Sequence, residues 1–304
     1  METVSYTYER VLADAAKVHW DVDDLIGGER RLDFSRPFLP DSLARVQKLD
    51  FLTPFEKTTL NQIRSHGYLY MFGLVEEFIL PFVLDHARPH LHGGSARVRA
   101  LLRFASEEAK HIELFRRFRA EFTAGFGTEC PVIGPPEAIA RTVLSHHPLA
   151  IGLLTLHIEW MTQRHYVDSV RDDAVLDAQF KSLLKHHWLE ECQHAKLDTL
   201  IVESIAATCT PAEIDQAIDE YLQIGAFFDQ GLAQQVDFDL RALEEATKVG
   251  LSAEKRNVVR EVQHGAQRWT FLGSGMTHEK VLATVGRIRP AARERIAEIG
   301  ARFC

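Results

Sequence analysis

The sequence predicts an all-α protein built on a four-helix bundle, and three observations support this. Apolar residues recur at helical period in almost every segment, and no run alternates convincingly at period two. Helix-start signals recur, among them Thr53-Pro54 and Thr210-Pro211-Ala212-Glu213, a capping-box pattern with Pro at the first helical position. Clusters of Gly and Pro separate the periodic stretches.

Taken in order, residues 1–26 read as a first amphipathic helix stopped by Gly27-Gly28, followed by an irregular stretch to about Asp50 in which Pro37 and Pro40 forbid long helix. Residues 53–85 form a long, apolar helix carrying YLYMFGLVEEFILPFVL, ended by Pro89 and Gly93-Gly94, with His86, His90 and His92 in the following loop. Residues 95–126 are the next helix, and Gly127, Pro131, Gly134 and Pro135-Pro136 make a connection. Helices follow near 148–172 and within 173–209, then near 211–234, 238–248, 252–272, 277–287 and 290–303, with Ser252 and Thr277 as candidate caps. No linker divides the chain, so one domain is expected over residues 1–304: a core bundle over about 53–205 and accessory C-terminal helices over about 211–303.

Composition narrows the function. The chain has 304 residues, 46% hydrophobic and 26% charged, with a net charge of −8 and no cluster of Lys and Arg, which argues against nucleic-acid binding. Cys130, Cys192, Cys209 and Cys304 are scattered without metal-knuckle spacing and read as free thiols of a reducing cytoplasm. The N-terminal METVSYTYER lacks the apolar core of a signal peptide, and no run approaches eighteen uncharged apolar residues, so no membrane span is expected.

The chemistry concentrates in Lys181–Leu200, KSLLKHHWLEECQHAKLDTL. At roughly 100° per residue, Glu191 lies about 40° and His194 about 340° from His187, so all three share one stripe. An amphipathic helix usually buries that stripe, and two imidazoles and a carboxylate are costly there unless they bind something. Bundle dimetal sites take a Glu from each of two helices and a Glu-x-x-His pair from each of two others. The chain offers Glu108-x-x-His111 and Glu191-x-x-His194.

Composition alone expects about one such motif in this length, and Glu261-x-x-His264 is assigned to chance. Both remaining copies have the longer form Glu-Glu-x-x-His, expected roughly 0.1 times per chain; Arg260 removes the third copy from that set. The extra Glu107 and Glu190 are suited to anchor the far ring nitrogen of a ligating His, each on the opposite helix.

The single-Glu helices precede each pair. Glu159 lies thirty-two residues before Glu191, and Glu76 and Glu77 lie thirty-two and thirty-one before Glu108. With Arg64, Tyr68, Val75 and His86 taken as the outward stripe, Glu77 falls nearly opposite and Glu76 to the side. Pro81 also deprives the carbonyl of residue 77 of its helical partner. Glu77 is therefore preferred over Glu76, although the equal spacing favours Glu76. His187, one turn before Glu191, is a further candidate ligand; His157, His165 and His186 share no stripe with a second ligand and read as structural.

These motifs resemble the ferritin-like diiron carboxylate superfamily. His187-x-x-x-Glu191-x-x-His194 resembles the p-aminobenzoate N-oxygenase family, whose last core helix carries an extra His ligand at this spacing. The resemblance covers roughly residues 60–205. It implies a ferritin-like bundle with the ligands Glu77 (or Glu76), Glu108, His111, Glu159, His187, Glu191 and His194. It further implies two iron ions, with manganese as alternative, that activate O₂ for N-oxygenation of an arylamine or related small amine. An electron donor and a homodimer are the expected partners, with no nucleic acid and no membrane.

Rival functions are a desaturase or hydroxylase acting on an apolar acyl substrate, and a ferroxidase or iron-handling protein. A radical-generating ribonucleotide reductase subunit would have Tyr where this chain has Phe115. The zinc-protease motif HExxH is absent.

Overall fold

Four long helices surround the site, and their ends lie where local chemistry puts them. The computed structural model describes residues 6–93 and 95–304. Residues 1–5, the expected start of the first helix, and Gly94, part of an expected stop, lie outside the described residues. The helices in chain order are α1 (Tyr8–Ala15), α2 (Asp41–Ala44), α3 (Pro54–Ala87), α4 (Ser95–Phe126), α5 (Pro136–Leu144), α6 (Pro148–His165), α7 (Ala178–Ala206), α8 (Pro211–Thr247), α9 (Ala253–Arg268), α10 (Ser274–Met276), α11 (Glu279–Ile288) and α12 (Pro290–Ala301).

Among the described residues the fold is all-α, with a four-helix core of α3 packed on α4 and α6 packed on α7. Contacts of α4 with α7 and of α3 with α6 join the two pairs, and α8 covers α3 and α6. The connection from α4 to α6 holds α5, a crossover of the kind ferritin-like bundles use.

Caps fix the register of the core helices. Thr53 and Glu56 form a complete capping box at α3, as Thr210 and Glu213 do at α8. The Asp177 side chain accepts from the Phe180 N–H at 2.6 Å to start α7. An 18-residue window of α3 has a mean hydropathy of 1.5, apolar enough to cross a membrane, but 72% of that window is buried inside the protein. A helix apolar on all sides and covered on all sides is a core helix.

Five expectations are corrected. The first helix ends at Ala15 rather than near residue 26, because Arg103 donates to the Ala15 carbonyl at 2.7 Å and the chain beyond turns to bury Trp20. The connection after Gly127 contains α5, with Pro136 at its first position. The helices expected near 211–234 and 238–248 are one continuous α8, whose buried Gln235 donates to Asp239 one turn on at 2.8 Å across the expected break. Thr277 does not cap the start of α11 but follows the end of α10, donating to the Gly273 carbonyl; His278 caps α11, accepting from the Lys280 N–H. His86 lies in the last turn of α3 rather than in the loop.

Candidate metal centre

The four core helices converge their acidic and imidazole side chains in one buried layer. Glu76 comes from α3, Glu108 and His111 from α4, Glu159 from α6, and His187, Glu191 and His194 from α7, all buried. One atom from each of Glu76, His111, His187 and Glu191 lies within 4.8 Å of the others, and the same holds for Glu108, His111, Glu191 and His194. The duplicated helix plan has thus become two adjoining groups that share His111 and Glu191.

The two central carboxylates face both groups. Glu191 Oε1 lies 3.1 Å from His111 Nδ1 and 2.8 Å from His187 Nε2, while its Oε2 lies 3.1 Å from His194 Nδ1. Glu108 does the same from the opposite helix, with Oε2 3.4 Å from His111 Nδ1 and Oε1 3.0 Å from His194 Nδ1. Glu76 Oε1 is 3.3 Å from His187 Nε2. Several of these close approaches lack hydrogen-bond direction. His111 Nδ1, Glu191 Oε1, both Glu108 oxygens, Glu76 Oε2 and Glu159 Oε2 are buried without a hydrogen-bond partner.

The far nitrogens of the two motif histidines are anchored across the bundle. His111 Nε2 donates to Glu190 Oε2 and His194 Nε2 donates to Glu107 Oε2, each at 2.9 Å. That fixes each ring with Nδ1 toward the cluster, the tautomer a metal requires.

Electrostatics follow from burial of so many acids together. Burial alone would depress His111, but Glu108, Glu190 and Glu191 hold its pKa well above the usual value. His194 is raised in the same way by Glu191 and Glu108, whereas for His187 burial outweighs Glu191 and lowers it. Burial, then the charge of Glu191, pushes Glu159 well up.

Glu77, the preferred candidate on α3, is not in the cluster. It is exposed and its Oε1 lies 3.5 Å from Arg116, while Glu76 points inward. The preference failed because its reference stripe was wrong: Arg64, Tyr68 and Val75 are all buried. Burial depresses Arg64 to about 10, with Asp239 as its compensating charge.

Other sequence assignments resolve as follows. His264 pairs with Asp229 at 2.8 Å, away from the cluster. His157 and His165 are buried against Tyr221 and Ser274, and His186 contacts the Ser182 carbonyl. Asp198 was missed. It is fully buried with both oxygens unpartnered, and burial pushes its carboxyl well up against the opposing pull of His194. The same stripe arithmetic finds it, about 20° from His187 and one turn beyond His194. Trp20 was also missed; its ring stacks on His111 at 6.0 Å between centroids and 6° between planes, and a contact from outside the bundle leaves no trace in helical period.

An apolar slot lined by Met71, Phe72, Val75, Ile158, Met161 and Phe271 among others, with about 20 Å³ of free space, is linked to the cluster through Phe72. Phe72 also meets the His187 ring edge-on at 5.3 Å.

No family model matches the sequence, and no curated protein matches it. Solved structures similar to the chain include variants of an R2-like ligand-binding oxidase. One with an anaerobically reconstituted Mn/Fe cofactor shares 14% identity, covering 88% of this chain and 93% of its own, with a TM-score of 0.44. Another with an aerobically reconstituted Fe/Fe cofactor shares 16% identity over 86% and 91%, with a TM-score of 0.40.

Proposed function

We propose that the protein is a dimetal oxidoreductase that binds two iron ions, with manganese as the alternative, and oxidises a small amine with O₂. One observation supports this most directly. Glu108 and Glu191 each face both His111 and His194, and four of the buried atoms aimed between them, both Glu108 oxygens, Glu191 Oε1 and His111 Nδ1, have no hydrogen-bond partner. Each such atom costs about 1–3 kcal/mol when unsatisfied, which bound cations would offset. Mixed carboxylate and imidazole donors suit iron or manganese better than copper or structural zinc. The residues proposed to hold the metals are Glu76, Glu108, His111, Glu159, His187, Glu191 and His194. When bound, a redox-active metal pair supplies the electrons that O₂ reduction requires.

The chain's own residues do the rest. Glu107 and Glu190 orient His194 and His111. Phe72 closes off the His187 edge, and Phe115 packs on the same ring at 4.9 Å. The apolar slot excludes water and presents flat faces to an aromatic substrate. Its narrow free space means that an arylamine enters only as Met71 and Met161 rearrange, which unbranched thioether side chains do readily. N-oxygenation is the reaction proposed, because His187 adds the extra imidazole that the sequence shares with the N-oxygenases. The narrowness of the slot favours one second reading, a ferroxidase that takes only metal as substrate.

The test is metal analysis, followed by anaerobic reduction and mixing with O₂ in the presence of p-aminobenzoate. Two metal ions per chain and conversion of the amine to oxygenated products support the proposal. Accumulation of ferric mineral supports the ferroxidase instead, and protein that takes up no metal overturns both.

A further inference from the structure

A groove of about 720 Å³ opens on the outer side of the cluster, and it exposes the back of the histidine anchors: Trp20, Arg103, Glu107, Lys110 and Glu190 all line it. Lys110 is the informative residue. Its Nζ donates to Glu190 Oε1 at 2.6 Å, and the other oxygen of that carboxylate accepts from His111 Nε2 at 2.9 Å. The same ammonium donates to the Trp20 carbonyl at 3.3 Å and sits 3.8 Å over the Trp20 ring, which in turn stacks on His111.

His111 is thus held at its edge by Glu190 and on its face by Trp20, and Lys110 grips both. The opposite histidine has a different support. Arg103 Nε donates to Glu107 Oε1 at 2.8 Å, and Glu107 Oε2 accepts from His194 Nε2. Both cations stand on α4 seven residues apart, so they share one face, but only Lys110 reaches across to a carboxylate of α7.

We propose that Lys110 is a positioning residue for the metal ion bound at His111, holding Glu190 and Trp20 so that Nδ1 of His111 is aimed into the cluster. This rests on the dimetal reading above. It makes the two metal positions unequal by construction: the group of Glu76, His111, His187 and Glu191 has only Lys110, Glu190 and Trp20 behind it, whereas the group with His194 is also supported by Arg103 and Glu107. A carboxylate that has lost its anchor can rotate away from Nε2, and loss of such outer support typically costs about 10–100-fold in metal affinity.

The experiment is anaerobic ferrous titration of the apoprotein against a competing chelator, for wild type, Lys110→Met, Lys110→Arg and Arg103→Met. Lys110→Met is expected to bind one ion as wild type does and the second about 10–100-fold more weakly. Lys110→Arg restores the second ion to within a few-fold, and the double variant with Arg103→Met weakens both. Apoprotein circular dichroism and melting show whether each variant folds. Lys110→Ala, which likewise leaves Glu190 without this donor, gives the same comparison if the Met variant does not fold. Two wild-type affinities in Lys110→Met, or equal weakening of both ions, overturn the inference while leaving the dimetal reading in place. A wild-type protein that binds no metal overturns both.

Discussion

Glu107 on α4 and His194 on α7 meet across the bundle at 2.9 Å, and Glu190 with His111 repeats the contact in the opposite direction. Each doubled-Glu motif therefore gives one carboxylate to the cluster and one to the histidine of its partner helix. Glu107→Gln replaces a charged acceptor by an amide that can present either its oxygen or its nitrogen to Nε2. The expected outcome is a loss of about 10–100-fold in affinity for the ion at His194. Chelator competition measures it, and wild-type affinity would show the pairing to be incidental.

Glu76 and Glu77 separate the two faces of α3. Glu76→Gln is expected to lower bound metal by about one ion per chain, because it removes the anionic donor that α3 contributes to the site. Glu77→Gln breaks an exposed contact with Arg116 and should leave both metal content and stability unchanged within about 0.5 kcal/mol. Elemental analysis of the two variants side by side decides the matter. Metal loss in Glu77→Gln alone would reverse the assignment.

The same pair shows what could be read from sequence and what could not. The four core helices, the two Glu-Glu-x-x-His motifs and the stripe of His187, Glu191 and His194 follow from spacing alone, since a regular helix converts spacing into direction. Choosing between Glu76 and Glu77 needed knowledge of which side of α3 faces outward, and α3 is buried on every side over residues 59–72, just before the pair. Arg64 marked a false surface because a charged side chain normally faces water, whereas here it is fully buried and its guanidinium nitrogens have no hydrogen-bond partner. Trp20 and Lys110 were beyond reach for a different reason. Their contacts join an irregular segment to a helix some ninety residues away, as the hydrogen bond between them records.

His187 sits between Phe72 and Phe115, with Glu76 and Glu191 on its nitrogen. His187→Ala is expected to keep the fold, at a cost of about 1–3 kcal/mol for the lost ring, and to retain most of the metal through the remaining ligands. The near-infrared spectrum of the ferrous protein and its rate of reaction with O₂ should both change. Identical spectra would exclude His187 as a ligand.

Three histidines outside the cluster contribute to the acid limit of stability. Burial holds His66, His157 and His165 at about 3, below the ordinary value of 6.5. Above pH 6.5 these groups are neutral in both folded and unfolded chains and contribute no pH dependence. As pH falls from 6.5 toward 3, the unfolded chain takes up protons at these positions while the folded chain does not. Stability is therefore lost on acidification, at about 1.4 kcal/mol per pH unit for each histidine once pH is well below 6.5. Urea unfolding of the apoprotein between pH 4.5 and pH 7 measures the slope. His157→Gln, which keeps a polar group beside the Tyr221 hydroxyl, should reduce proton uptake on unfolding by about one. An unchanged slope would mean that His157 is already protonated in the folded protein, contrary to its burial.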